Sequence, residues 1–179
     1  MTTAMLIVSL LTFPGVVLHE YAHAWACRRL GIRVLKVCYL RLGNPLGYVL
    51  HEQPEYAVQH IMVAVAPFFV STATALAVSL LASVFAMSPA DAEFKDLAVL
   101  VAAWLSFSMA LHAFPSSGDG DALWKDVTSP DVGFCAKLLL APVVGLIRLC
   151  QAGAAVWLHG LFAVVVVALP PVMLVAIMG

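Results

Sequence analysis

The stretch Ala4–Cys27, AMLIVSLLTFPGVVLHEYAHAWAC, decides the class of fold. Its only interior ionisable groups are His19, Glu20 and His23. At about 1.5 Å per helical residue it is long enough to cross a hydrocarbon core of about 30 Å. No basic residue precedes the apolar run, and apolar sequence continues past Pro14 and Gly15. It therefore reads as a retained helix rather than a secretory signal.

The rest of the chain agrees with a lipid solvent. Of its 179 residues 63% are hydrophobic and 11% charged, with a mean hydropathy of +1.01. A soluble domain is about half apolar and a quarter charged, so this chain has too little charge to cover a globular surface. The net charge of −1 says nothing about partners, but no basic patch or RNA-type motif appears, so nucleic acid is not an expected partner. Cys27, Cys38, Cys135 and Cys150 show no CxxC spacing, which points neither to a thiolate metal site nor to a disulfide framework.

Charged and turn-forming residues divide the chain. After the first stretch, Arg28 to Tyr56 is polar. Within it IRVLKVCYLRL and LGYVLHE flank Gly43-Asn44-Pro45, the pattern of a short β-hairpin at the membrane edge. A second apolar stretch runs from Ala57 to Met87, with Pro67 as a kink or boundary. The acidic connector Ser88–Asp96 leads to a third, Leu97 to Phe114. Residues 115–121, PSSGDGD, read as a loop, and a polar stretch reaches Lys137. Two more apolar stretches follow, Leu138–Leu149 with Pro142 inside it, and about Ala154 to Met178 with Pro170-Pro171. The expected fold is an all-α multi-pass membrane protein of four or five transmembrane helices, with a membrane-edge hairpin after the first. It forms a single domain over residues 1–179, with a core at 4–125 and additional membrane helices at 138–178.

Five of the nine Lys and Arg residues, Arg28, Arg29, Arg33, Lys36 and Arg41, follow the first segment directly. The positive-inside rule then puts the N-terminus outside and the hairpin in the cytoplasm. Counting spans forward, Asp119 and Asp121 emerge on the same cytoplasmic side as His19 and His23.

His19-Glu20-x-x-His23 is a chemistry-bearing spacing. Four helical residues are about 400°, so both imidazoles leave one face, about 6 Å apart along the axis, and can reach one zinc ion. Glu20, about 100° round from His19, can accept a proton from zinc-activated water without being a ligand. HExxH is short enough to arise by chance. Two histidines and a glutamate inside a lipid-spanning helix are costly without partners, however, and that favours a metal. A catalytic zinc needs a third protein ligand. The residue types offer Asp119, Asp121, His112, His51 and His60. His112 also reads as a group that orients a ligand or the substrate, while His51, His60 and His159 lie near segment ends. Ser116, Ser117 and Asp121 could line a polar path from the cytoplasm.

Phe13-Pro14-Gly15-Val16-Val17-Leu18-His19-Glu20-Tyr21-Ala22-His23-Ala24, followed by Arg28-Arg29-Leu30-Gly31-Ile32-Arg33-Val34, resembles the site-2 protease family of intramembrane zinc metallopeptidases. The resemblance covers residues 10 to 125. It implies that His19 and His23 are zinc ligands and Glu20 the catalytic base. Asp119-Gly120 matches the family's Asp-Gly and so implies Asp119 as third ligand, with Asp121 as its alternative. Departures from the pattern are His112 near the place of an asparagine, Ser116-Ser117 for a second proline, Gly118 for a leucine, and Ala66-Pro67 for Gly-Pro. No PDZ or CBS domain accompanies the core. The resemblance implies an enzyme holding one Zn2+ that hydrolyses peptide bonds of membrane or membrane-proximal substrates. The competing reading is a non-proteolytic zinc-binding membrane scaffold, for which Glu20 would have no use. A transporter would spread charged sites over several segments.

Overall fold

The computed structural model describes residues 3–129, 134–153 and 157–178. The first apolar stretch is two helices rather than one, α1 (Thr3–Leu11) and α2 (Phe13–Arg29). Thr12 separates them, and Pro14 stands in the first turn of α2, where its missing N–H costs nothing. Gly31, at φ +73°, turns the chain out of α2. Strands β1 (Val34–Cys38) and β2 (Tyr48–His51) then form the expected antiparallel hairpin, with Lys36 opposite Leu50 and Cys38 opposite Tyr48.

Helix α3 (Ala57–Ala86) continues unbroken through Pro67. Helix α4 (Ala92–Leu111) starts earlier than the hydropathy implies, because the Asp91 carboxylate caps it by accepting from the N–H groups of Glu93 and Phe94. It also ends before Phe114. Helix α5 (Ser117–Thr128) occupies what reads in the sequence as loop and polar linker. Helix α6 (Phe134–Gly153) runs well beyond Leu138–Leu149 at both ends, and α7 (Leu158–Met178) contains Pro170 and Pro171. The start expected at Ala154 lies outside the described residues.

Among the described residues three helices, α3, α4 and α7, are long and apolar enough to cross a membrane. They pack on each other through small residues: Ala75, Ala110 and Ala163 are fully buried where the three meet. Serine hydroxyls bridge them, from Ser106 to the Ala75 carbonyl (2.8 Å) and from Ser79 to the Val167 carbonyl (2.7 Å). Large apolar side chains such as Phe69, Leu81, Leu100 and Val175 face outward. Small residues inside, hydroxyl bridges and apolar groups outside are how helices associate in lipid.

Helix α2 is seated on α3 and α4. At Gly15 a methyl group would overlap the Ser108 carbonyl of α4. The Gly15 N–H, one of the donors left free at a helix start, is bound by Ser108 Oγ (2.8 Å), which itself donates to the Thr12 carbonyl (2.8 Å). Gly15→Ala is therefore expected to force the helices apart. A loss of about 1–3 kcal/mol, the usual cost of overpacking, would be read as a lower thermal midpoint of the detergent-solubilised chain.

Candidate metal centre

His19 and His23 leave the buried face of α2 and are 8% and 6% exposed. Their rings meet edge to face, with Nε2 atoms 3.1 Å apart. Asp119, from the first turn of α5, brings Oδ2 to 3.7 Å from His19 Nε2 and Oδ1 to 3.4 Å from His23 Nε2. All the donor atoms of this His-His-Asp group lie within 4.8 Å of one another.

The outer ring nitrogens fix the tautomers. His19 Nδ1 is 2.7 Å from the His112 carbonyl, and His23 Nδ1 is 2.9 Å from the Val63 carbonyl. A carbonyl can only accept, so each Nδ1 carries a proton and donates it. In the neutral imidazoles both Nε2 atoms then present lone pairs to each other and to a carboxylate. Nothing among these groups can satisfy that arrangement except a proton or a cation. Two imidazole nitrogens and a carboxylate oxygen, each imidazole donating its second N–H, form a donor set that could hold a metal ion.

The Asp119 carboxylate is held by the start of its own helix. Ser116 and Asp119 form a capping box: Asp119 Oδ2 accepts from the Ser116 N–H and Oγ–H (both 2.7 Å), and the Asp119 N–H donates to Ser116 Oγ (3.3 Å). Burial by itself would raise the Asp119 carboxyl, but the neighbouring His23 and His19 reverse this and hold it well below the usual carboxylate range. Asp119 is also the most open member, its side chain 21% exposed against 10% and 8% for the histidines. The centre therefore opens on the α5 side, where Ser116 and Ser117 are exposed.

The other candidates fall elsewhere. Asp121 lies about 200° further round α5 and pairs with Arg148 at 2.8 Å. His51 and His60 contact each other, with centroids 6.2 Å apart, and lie outside the His19-His23-Asp119 group. The His112 ring turns away to Thr12. The Thr12 hydroxyl donates to the Val8 carbonyl (2.8 Å), so it accepts from His112 Nε2–H (2.8 Å). His112 thus orients His19 through its main chain, not its ring. The Ser117 hydroxyl makes no hydrogen bond among the described residues.

Glu20 is partly buried, and its carboxylate has no hydrogen bond or ion pair among the described residues. The hairpin covers it: a methyl on Gly47 would stand 2.6 Å from Glu20 Cγ and 3.0 Å from Oε1. From the C-terminal third, Gln151 Nε2 donates to the Ser116 carbonyl (2.5 Å), and its amide occupies the place a side chain at Gly120 would take. Phe114 packs among Phe68, Phe162 and the stacked ring of His159. The contributions of Gly47, Val63 and Gln151 leave no local spacing signal, since each acts across a tertiary contact.

Comparison with known protein families, with curated proteins and with solved structures finds no match to this chain.

Proposed function

We propose that this chain is a membrane-embedded zinc metalloendopeptidase of the site-2 protease type, hydrolysing peptide bonds of membrane or membrane-proximal substrates. One observation carries the reading: an HExxH helix whose two histidines turn their bare Nε2 atoms toward a partly buried carboxylate far along the chain. A scaffold that only held metal would not need Glu20 beside it.

His19, His23 and Asp119 would hold the zinc. The bound ion would supply Lewis acidity, polarising a carbonyl and making water acidic near neutral pH. Glu20, unpartnered and on the adjoining face of α2, takes up a proton on its carboxylate and returns it to the leaving amine. The His112 and Val63 carbonyls keep the imidazoles in register, and Ser116 holds Asp119. A shallow apolar groove of about 400 Å³, lined by Pro14, Val17, Leu18, Tyr21, Tyr39 and Met109, runs along α2 and suits an apolar segment. In this reading α2 lies within the bilayer, the N-terminus is outside, and the site opens toward the cytoplasm on the Ser116–Asp119 side.

The test is metal-dependent cleavage. The full chain is reconstituted, stripped with a chelator and given a panel of labelled membrane peptides with and without zinc. One zinc per chain and cleavage restored by zinc are expected. A chain that retains no zinc, or cleaves equally without it, ends the proposal. Gly47→Ala is expected to shift Glu20 while leaving the ligands in place. Zinc content should stay normal while turnover falls by about a hundredfold, the scale of a misplacement near 1 Å.

A further inference from the structure

Proline inside a helix is costly, because it removes a ladder hydrogen bond and crowds the carbonyl four residues back. Pro67 nevertheless sits fully buried within α3, which continues on both sides. The carbonyl it leaves without a helical donor is that of Val63. This is the carbonyl that accepts Nδ1–H from His23 at 2.9 Å. The same device recurs at the other histidine. The His112 carbonyl closes α4, and the chain positions that could donate to it locally are 115 and 116. Pro115 has no N–H, and Ser116 gives its own to Asp119. The His112 carbonyl accepts from His19 instead, at 2.7 Å.

We propose that Pro67 and Pro115 are positioning residues of the metal centre, each freeing one carbonyl so that it fixes the tautomer of one ligand histidine. Both histidines need this, because an imidazole that carried its proton on Nε2 could not ligate through that atom. A carbonyl has two lone pairs, so a competing backbone N–H would weaken the hold on the ring rather than abolish it. The inference rests on the zinc reading for its purpose but not for its geometry.

The experiment uses the full chain in detergent, labelled with ¹⁵N in its histidines. Imidazole ¹⁵N shifts of the metal-free protein report the tautomers, and competition with a chromogenic chelator reports zinc affinity. Pro67→Ala restores an N–H opposite Val63 and suits the helix, so the variant is expected to fold. His23 should change from a single Nδ1–H form to a mixture. Zinc should bind about tenfold more weakly, at the low end of what outer-shell partners contribute. Pro115→Ala should do the same to His19. Pro170→Ala, at a buried proline of α7 away from the centre, should change neither. An unchanged His23 tautomer in Pro67→Ala overturns the proposal, whether or not affinity falls, since a fall alone would reflect packing. A wild-type chain that binds no zinc overturns the metal reading, while the shifts still decide the role of Pro67.

Discussion

Asp119→Ala is expected to abolish zinc retention and with it all hydrolysis, whereas Asp121→Ala keeps both. The two aspartates are separated by Gly120 alone and cannot be told apart by composition. Helical geometry separates them: Asp119 faces the imidazoles, and Asp121 faces Arg148. Replacing a direct ligand should weaken zinc by about a hundredfold or more, since even removing an outer partner costs about ten- to a hundredfold. Asp119 also closes the capping box of α5, worth about 1 kcal/mol, so alanine loses a helix start as well as a ligand. Asp119→Asn separates the two effects: its amide oxygen can still accept from Ser116, but it brings no charge to the metal. Metal content by mass spectrometry of the purified chains decides the matter. Normal zinc in Asp119→Ala would remove Asp119 from the centre.

Glu20→Gln is expected to keep zinc and lose turnover. The amide is nearly the same size and can sit under Gly47 as the carboxylate does, but it cannot take up a proton. General base catalysis contributes about a hundred- to ten-thousandfold, and the loss should fall in that range, in kcat rather than in substrate affinity. Single-turnover cleavage of a labelled membrane peptide, read beside zinc stoichiometry, makes the measurement. Equal cleavage by both chains would show that Glu20 is not the base. Equal zinc with no cleavage by either chain would favour a metal-holding scaffold.

Local patterns carried much of this reading, and tertiary contacts carried the rest. The hairpin and the long α3 are legible because alternation, turn residues and an unbroken apolar run are local signals. The break at Thr12 is less so, because hydropathy does not register a proline that begins a helix inside an apolar run. Helix α5 was hidden for the opposite reason. Pro115, Gly118 and Gly120 read as loop, while the Ser116–Asp119 capping box that starts the helix is a spacing easily lost among turn residues. At the centre, His19, Glu20 and His23 declare themselves by spacing. Asp119 was reached through family resemblance, and only the distances to both Nε2 atoms distinguish it physically from Asp121. The carbonyls of Val63 and His112 could not be read at all, since every residue has a carbonyl and only the fold reveals which are unclaimed.

The clamp on the Ser116–Asp119 turn has a consequence for biogenesis. That turn is gripped by Gln151 of α6, and Phe114 before it by Phe162 and His159 of α7. A ribosome-bound chain that has made only α2 therefore displays the HExxH face with no clamped carboxylate opposite it. The centre is completed only when the last helices arrive, so a nascent or C-terminally truncated chain is expected to be born inert.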